Sequence, residues 1–159
     1  MEFDYCTCAK NCEIEIPEIK LLPSKRFKHF FAIKRFDRVK NQKIHKISAS
    51  SLLNTSHRIP AMDYNNLTQA TWAITKDINE LKKVYRLMCF NVFSHNRDDH
   101  SNNFSFIFKK GKWHFAPAYD LTYSTSLNGE HATTINGEGK NPSIDDILAV
   151  AKNASLDLK

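Results

Sequence analysis

Acid, amide and imidazole side chains crowd into one short stretch, residues 98–103, with the sequence DDHSNN. A further acid, Asp120, follows after two short apolar segments and a glycine-containing turn. Carboxylate and amide oxygens are hard ligands that suit Mg²⁺, which binds one or two carboxylates and completes its shell with substrate phosphate and water. The residue types therefore predict a magnesium site built from Asp98, Asn103 and Asp120.

A β-hairpin is the element that would bring these groups together. Apolar and small residues alternate over residues 104–108 (FSFIF), as in a strand with one strongly apolar face. Gly111, in a short basic connection before residues 113–115 (WHF), favours a tight turn. Because a hairpin returns the chain to its starting end, Asn103 and Asp120 should lie close in space.

Helical periodicity precedes this stretch and follows it. Residues 62–76 form one apolar face behind Asp63, a suitable N-cap, and residues 77–92 form a stronger face behind Asp77. The second of these helices leads directly into the acidic stretch. Ser143 is the predicted N-cap of a final amphipathic helix.

The N-terminal third predicts a helix and a β-ribbon. Residues 2–12 read as a short helix, and residues 13–22 as a broken or edge strand because they contain Pro17. Residues 27–36 are apolar and aromatic and predict a buried strand that pairs antiparallel with the first. Residues 39–61 are polar and predict a connecting segment.

Four cysteines occur, and three of them are spaced C-x-C-x-x-x-C near the N-terminus. This spacing lacks the paired C-x-x-C of common zinc modules. Since cysteine packs as a small hydrophobic residue, we expect buried free thiols at these positions: Cys6, Cys8, Cys12 and Cys89.

Composition is that of an ordinary globular protein of 159 residues, 42% hydrophobic and 25% charged. No apolar run approaches the roughly 20 residues that span a membrane, and no signal-peptide pattern is present, so a cytoplasmic location is expected. The net charge of +6 fits an anionic partner such as a nucleotide, an RNA-bound enzyme or DNA. Because lysine and arginine are scattered rather than clustered, direct nucleic-acid binding is not expected.

The order D-x-x-x-x-N, hairpin, acid matches the protein-kinase catalytic loop and its metal-binding aspartate. Three segments together resemble the HipA family of bacterial serine/threonine kinases, toxins that are paired with an antitoxin. They are residues 98–105 (DDHSNNFS), residues 116–121 (APAYDL) and residues 32–38 (AIKRFDR). The last of these is similar to the strand and hinge beside the adenine in that family.

The resemblance implies an α+β, protein-kinase-like fold: a helical C-terminal lobe, a remnant of the N-lobe sheet and a β-hairpin carrying the metal site. It implies one partial HipA-like kinase domain over residues 1–159, shortened at the N-terminal lobe and at the C-terminus. Residues 1–38 would be the N-lobe remnant and hinge, and residues 39–159 the C-lobe. Within the C-lobe, residues 95–103 would form the catalytic loop and residues 116–124 the metal loop.

The resemblance also implies ATP and Mg²⁺ as cofactors and a role for each polar residue. Asp98 would be the catalytic base, and His100 would support the catalytic loop by hydrogen bonding. Asn103 and Asp120 would hold Mg²⁺ against the ATP phosphates. The neighbouring Asp99 stands where the family often has a small residue, but Asp98 keeps the five-position offset to Asn103 and is preferred.

The hinge would consist of Lys34, Arg35 and Phe36, which would line the adenine pocket and bind the base through backbone groups. No glycine occurs before Gly111, so residues 1–110 contain no glycine-rich phosphate loop. The resemblance also implies that the strand with the family's phosphate-anchoring lysine is not among these residues. Loss of the phosphate-anchoring lysine would leave the metal-binding half intact while crippling transfer.

The partners implied are ATP, a protein substrate such as an aminoacyl-tRNA synthetase, and a HipB-like antitoxin. Two alternatives stand beside the kinase. One is a catalytically dead pseudokinase that binds an antitoxin as an interaction module. The other is a metal-dependent phosphoesterase built on the acidic cluster. The phosphoesterase would need further ligands, and the available histidines do not form a pair such as H-x-x-x-H: His57, His114 and His131.

Overall fold

The computed structural model describes residues 1–40, 42–55 and 62–157. Its helices are α1 (Glu2–Asn11), α2 (Ala49–Leu53), α3 (Tyr64–Thr75), α4 (Ile78–Phe93) and α5 (Ile144–Asn153). Its strands are β1 (Ile19–Pro23), β2 (His29–Ile33), β3 (Arg38–Val39), β4 (Gln42–Lys43), β5 (Lys46–Ser48), β6 (Met62–Asp63), β7 (Ser105–Lys109), β8 (Lys112–Phe115) and β9 (Thr133–Thr134).

A three-stranded antiparallel sheet, in the order β5–β7–β8, carries the predicted hairpin. Its turn consists of Lys110 and Gly111, whose φ values of 50° and 78° are both positive. Two successive positive φ values are what a tight two-residue hairpin turn requires. The hairpin predicted from the alternating pattern and from Gly111 is therefore confirmed.

The hydrophobic core lies between this sheet and helices α3 and α4. Tyr64, Phe104 and Phe106 are at most 1% exposed, and Phe115 is also buried. The rings of Tyr64 and Phe104 meet edge to face at 5.7 Å, and those of Phe106 and Phe115 at 5.6 Å. Such pairs contribute about 0.5–1.5 kcal/mol beyond the burial of their area. The core thus fixes the inner face of the hairpin, and with it the loops at the open end.

The three predicted N-caps are confirmed. The Asp63 carboxylate accepts a hydrogen bond from the Asn65 backbone N–H at 2.7 Å, and Asp77 caps α4 in the same way. Ser143 caps α5 and forms a reciprocal capping box with Asp146. Each cap satisfies an N–H group that the first helical turn leaves without a partner.

The N-terminal ribbon of β1 and β2 forms in the predicted antiparallel register, with Ile19 opposite Ile33. The prediction that its second strand is buried is wrong, because Phe30 is 51% exposed and Phe27, just before β2, is 58% exposed. Apolar composition predicts a strand but does not supply a second layer to cover it. The first strand is also shorter than predicted, since regular pairing begins only at Ile19.

The expectation of buried thiols holds for Cys6 alone. All four cysteines are free, but Cys8 and Cys12 are exposed and Cys89 is half-buried. Helix α1 buries only the face that carries Cys6 and Ala9. Because Cys8 and Cys12 lie one helical turn apart, they share a different face of the helix and both point to solvent.

The prediction of a plain connecting segment over residues 39–61 is wrong for its described part. That part contains β4, β5 and α2. Strand β5 forms because it pairs with β7, with Ile47 opposite Phe106, a partner that local sequence does not reveal. Residues 41 and 56–61, which include His57, lie outside the described residues. Within the described part of the chain, no helix combines the length and apolar character needed to cross a bilayer.

Candidate functional site

A buried polar network holds the acidic stretch in place. Asp99 is 1% exposed, and its carboxylate accepts hydrogen bonds from the Tyr64 hydroxyl at 2.9 Å and from the Thr133 backbone N–H at 3.2 Å. The same carboxylate lies 3.1 Å from Nδ1 of His131, which is also buried. The Tyr64 hydroxyl in turn accepts from the Asn91 side chain at 2.9 Å. Asp99 therefore joins α3, α4 and β9 and is a structural residue.

The protonation of Tyr64 follows from this environment. Burial, and then the negative charge of Asp99, raise the pKa of Tyr64 well above its usual value of 10.0. The phenol thus stays neutral and donates a hydrogen bond to the Asp99 carboxylate. A buried carboxylate that accepts several hydrogen bonds is compatible with a stable fold. A buried carboxylate that loses these donors lowers the stability of the folded protein.

The next residue outward, Asp98, is exposed. The Asn103 side-chain amide donates to the Asp98 backbone carbonyl at 2.8 Å, and the Asn103 backbone N–H donates to the His100 carbonyl at 2.8 Å. These bonds close a short 3₁₀ turn over Ser101–Asn103. Because the amide nitrogen of Asn103 is the donor, its side-chain oxygen is left as an acceptor. A hydrogen bond thus connects Asp98, the predicted base, to Asn103, a predicted metal ligand.

The loop that carries Asp120 is joined to this turn by Tyr119. The Tyr119 hydroxyl donates to the Asn102 carbonyl at 2.5 Å and lies 2.6 Å from the Ser105 hydroxyl. Tyr119 directly precedes Asp120, and Asn102 directly precedes Asn103, so the hydrogen bond brings the two predicted metal ligands to adjacent segments. The hairpin arranges this, because it returns the chain to the residues next to its start.

Asp120 itself is exposed and has a positive φ of 58°. Aspartate is one of the few residues that adopt this conformation readily. Burial, and then the nearby charge of Asp120, raise the pKa of Glu2 at the start of α1. The Asp120 carboxylate therefore lies near the carboxyl group of Glu2.

The donors present fit Mg²⁺. The Asn103 side-chain oxygen and the exposed Asp120 carboxylate are hard oxygens, and Mg²⁺ typically needs only one or two protein carboxylates besides phosphate and water. Among residues 1–40, 42–55 and 62–157, no group of three or more His, Cys, Asp or Glu side chains is placed to hold a metal ion. Two predicted alternative ligands have other partners, since His114 lies 3.1 Å from Glu80 and His131 contacts Asp99.

The three predicted hinge residues line a cleft with about 470 Å³ of empty space. The cleft reaches Tyr119, whose ring centroid lies 5.4 Å from that of Phe36. The predicted adenine region and the loop of Asp120 therefore share one cavity, whose full lining is Ile33, Lys34, Arg35, Phe36, Asp37, Lys46 and Tyr119.

Sequence reasoning missed Lys46, which reaches the cleft only because β5 pairs with β7. It also missed the partners of Asp99, which are 32 to 35 residues away along the chain. The one available signal was Asn91, a polar residue on the apolar face of α4. His100 was expected to support the loop by hydrogen bonding. Its backbone carbonyl does accept a hydrogen bond from the Asn103 N–H. Its ring Nδ1, in contrast, is buried and has no hydrogen-bond partner among the described residues.

Asp37 fixes the end of the hinge. Its carboxylate accepts two hydrogen bonds from Arg35, at 2.8 and 2.7 Å, and one from Arg38 at 2.8 Å. The hydrogen bond from the Arg35 guanidinium is the main cause that lowers the pKa of Asp37 from 3.8 to about 2. Bidentate arginine–carboxylate pairs are geometrically specific, so the hinge backbone is held in one shape.

This pair predicts a specific pH dependence of stability. The pKa of Asp37 is depressed in the folded state, so its stabilising contribution is present above pH 3.8 and is lost as the pH falls toward 2. Wild-type protein should therefore lose more stability than Asp37→Asn over this interval, as measured by urea unfolding at a series of pH values. Asp145→Asn, which removes an exposed carboxyl group on α5, should keep the wild-type slope. Equal slopes for wild type and Asp37→Asn would contradict the prediction.

Comparison with known proteins places this geometry in a family. The chain matches the HipA-like C-terminal domain family over residues 1–158. No curated protein sequence matches the chain.

Two solved structures share the fold. The first is HipA of Shewanella oneidensis MR-1, solved in a toxin–antitoxin complex with HipB and operator DNA, with a TM-score of 0.79 and 20% identity. The match covers 98% of this chain and 43% of that HipA chain. The second is the proinflammatory kinase CtkA of Helicobacter pylori, with a TM-score of 0.67 and 14% identity, covering 96% of this chain and 68% of CtkA. The chain thus spans less than half the length of the Shewanella protein, and the predicted α+β, kinase-like fold is confirmed.

Proposed function

The chain belongs to the HipA-like C-terminal domain family, and we propose that it carries the ATP- and Mg²⁺-binding site of a serine/threonine protein kinase of the toxin type. One observation supports this assignment above all. The hydrogen bond from Tyr119 to the Asn102 carbonyl joins the two loops at the residues that precede Asp120 and Asn103. A kinase needs an amide and a carboxylate at adjacent positions to hold the metal ions that bridge the ATP phosphates.

In the proposed reaction, the oxygen of a serine or threonine hydroxyl attacks the γ-phosphorus of ATP. The bond from that phosphorus to the β–γ bridging oxygen breaks, and ADP leaves. The Asp98 carboxylate orients the hydroxyl and accepts its proton. Asp98 suits this role because it is exposed, so that a protein substrate can reach it. When bound between Asn103 and Asp120, Mg²⁺ supplies neutralisation of the charge on the phosphates.

The cleft is proposed to hold the adenine. The backbone of Lys34, Arg35 and Phe36 would hydrogen-bond the edge of the base, and the Phe36 ring would supply apolar contact. The ion pairs of Asp37 with Arg35 and Arg38 keep this backbone in position. They also neutralise the Asp37 carboxylate, so that it does not repel an anionic ligand. Tyr119, which lines the cleft, directly precedes Asp120, so a nucleotide bound in the cleft would direct its phosphates to the metal ligands.

The proposed partners follow from the same family. Since the Shewanella HipA is solved with HipB and operator DNA, we propose a HipB-like antitoxin as partner of this protein in the cytoplasm. The substrate would be a hydroxyl-bearing protein, for which an aminoacyl-tRNA synthetase is the proposed example. The second candidate function, a pseudokinase that binds the antitoxin without transfer, is favoured by the absence of glycine from residues 1–110.

Calorimetric titration of ATP into the protein, with and without Mg²⁺, tests the proposal. We expect binding that Mg²⁺ strengthens, and we expect Asp98→Asn to retain it, because Asp98 acts on the substrate hydroxyl and not on the metal. A transfer assay on the same two proteins should show phosphorylation for the wild type and none for Asp98→Asn. Mg²⁺-dependent binding without transfer by the wild type would favour the pseudokinase. No binding by the wild type would contradict the kinase and favour the protein as a non-catalytic module that binds the antitoxin.

A further inference from the structure

A lysine ammonium group lies at the cleft, beside two aromatic rings that contact each other. The Nζ atom of Lys46 is 5.5 Å from the ring centroid of Phe36 and 5.0 Å from that of Tyr119. Both distances are within the range of cation–π attraction. The pairing of Lys46 with Ile107, a buried residue of β7, fixes the backbone that carries this side chain. The ammonium group therefore reaches the cleft from a backbone fixed by the sheet, and it is accessible to a ligand because Lys46 is exposed.

The charge of Lys46 is not compensated locally. The other cations at the cleft have acidic partners, since Arg35 binds Asp37 and Lys34 lies 3.4 Å from Glu18. Asp37 also binds Arg38, so the one carboxylate in the cleft lining is already shared by two guanidinium groups. Lys46 forms no ion pair with any of the described residues. The cleft thus has an excess of positive charge, which selects an anionic ligand.

The position of the ammonium group indicates which part of a ligand it would contact. Tyr119, whose ring lies under Lys46, directly precedes Asp120, the proposed metal ligand. An anion next to Lys46 would therefore lie beside Tyr119, the residue that directly precedes the proposed metal ligand. Lysine binds phosphate as a compact point charge and needs no fixed orientation of the oxygens.

We propose that Lys46 is the phosphate-binding residue of this cleft, contacting the phosphate chain of the nucleotide in a manner that does not require Mg²⁺. The proposal rests on the proposed function in taking a nucleotide as the natural ligand, while the anion site itself stands on the geometry of Lys46. Lys46 makes the cleft prefer nucleotides over nucleosides and supplies a cation that the glycine-free N-terminal region does not supply through a phosphate loop.

The test uses inorganic pyrophosphate without Mg²⁺ and follows the aromatic NMR signals of the protein. In the wild type, pyrophosphate should shift the ring signals of Phe36 and Tyr119 in a saturable way. Lys46→Met should weaken this binding by about tenfold or more, the loss of one charge-assisted contact, and Lys46→Arg should retain most of it. Lys43→Met, on the neighbouring strand β4 and outside the cleft lining, should behave as the wild type.

The proposal is overturned if pyrophosphate leaves both ring signals of the wild type unchanged, or if Lys46→Met binds as tightly as the wild type. Titration of ATP into the same proteins separates it from the proposed function. Pyrophosphate binding that needs Lys46, with no binding of ATP, would sustain the anion site and contradict the kinase assignment. Mg²⁺-dependent ATP binding that Lys46→Met leaves unchanged would sustain the kinase assignment and contradict the role of Lys46.

Discussion

Replacing Asp99 with alanine should lower the free energy of unfolding by about 3–5 kcal/mol, because it leaves several buried hydrogen-bond donors without an acceptor, at about 1–3 kcal/mol each. The Asp99 carboxylate accepts hydrogen bonds from Tyr64 and Thr133 and contacts His131. Without it, the Tyr64 hydroxyl, the Thr133 backbone N–H and the imidazole of His131 lose a common partner in a region closed to water. Urea unfolding followed by circular dichroism measures this loss.

Asp98→Ala is the matched control, because it removes the same side chain from the adjacent, exposed position. It should change the free energy of unfolding by no more than about 0.5 kcal/mol, as surface substitutions usually do. Similar effects of the two substitutions would show that burial and hydrogen bonding do not distinguish the two aspartates. The structural role given to Asp99 would then be wrong, and with it the argument that Asp98 is the residue available for chemistry.

Replacing Asp120 with asparagine should weaken the Mg²⁺-dependent binding of ATP by at least about tenfold, since even changes outside the ligand sphere cost about 10–100-fold in metal affinity. The substitution keeps the shape of the side chain and the readily adopted positive φ but removes the negative charge. ATP binding measured in EDTA should be unchanged, because that part of the affinity belongs to the cleft. Calorimetric titration with and without Mg²⁺ measures both quantities.

Asp145→Asn, on α5 and outside both loops, controls for the loss of one negative charge from the protein. It should bind ATP and Mg²⁺ as the wild type does. Retention of Mg²⁺-dependent affinity in Asp120→Asn would remove Asp120 from the metal site. A loss of affinity in EDTA as well would mean that the substitution disturbs the cleft as a whole.

Local sequence was sufficient for the elements that position the site. The alternation of residues 104–108 and the position of Gly111 predicted the hairpin, and Asp63, Asp77 and Ser143 predicted three helix starts, because these signals act within a few residues. The hairpin then implied that the Asn103 and Asp120 segments meet. The hydrogen bond from Tyr119 to Asn102 shows that these segments do lie side by side.

Long-range pairing was beyond local sequence. The contacts of Asp99 with Tyr64 and His131, and the pairing of β5 with β7, join residues more than 30 positions apart. Nothing in the sequence near Lys46 indicates that its ammonium group lies beside two aromatic rings of a cleft. The exposure of Phe30 was missed for a related reason, since an apolar pattern predicts a strand but does not show whether another layer packs on it.

We propose that Asn103 and Asp120 hold one metal ion beside Asp98. Mn²⁺, which shares the oxygen-ligand preference of Mg²⁺, tests this directly, because its unpaired electrons broaden the NMR signals of nearby nuclei. With ATP and substoichiometric Mn²⁺, the backbone amide signals of Asn103 and Asp120 should broaden together, while those of α5 stay sharp. Broadening at only one of the two loops, or at neither, would contradict a shared metal site of Asn103 and Asp120.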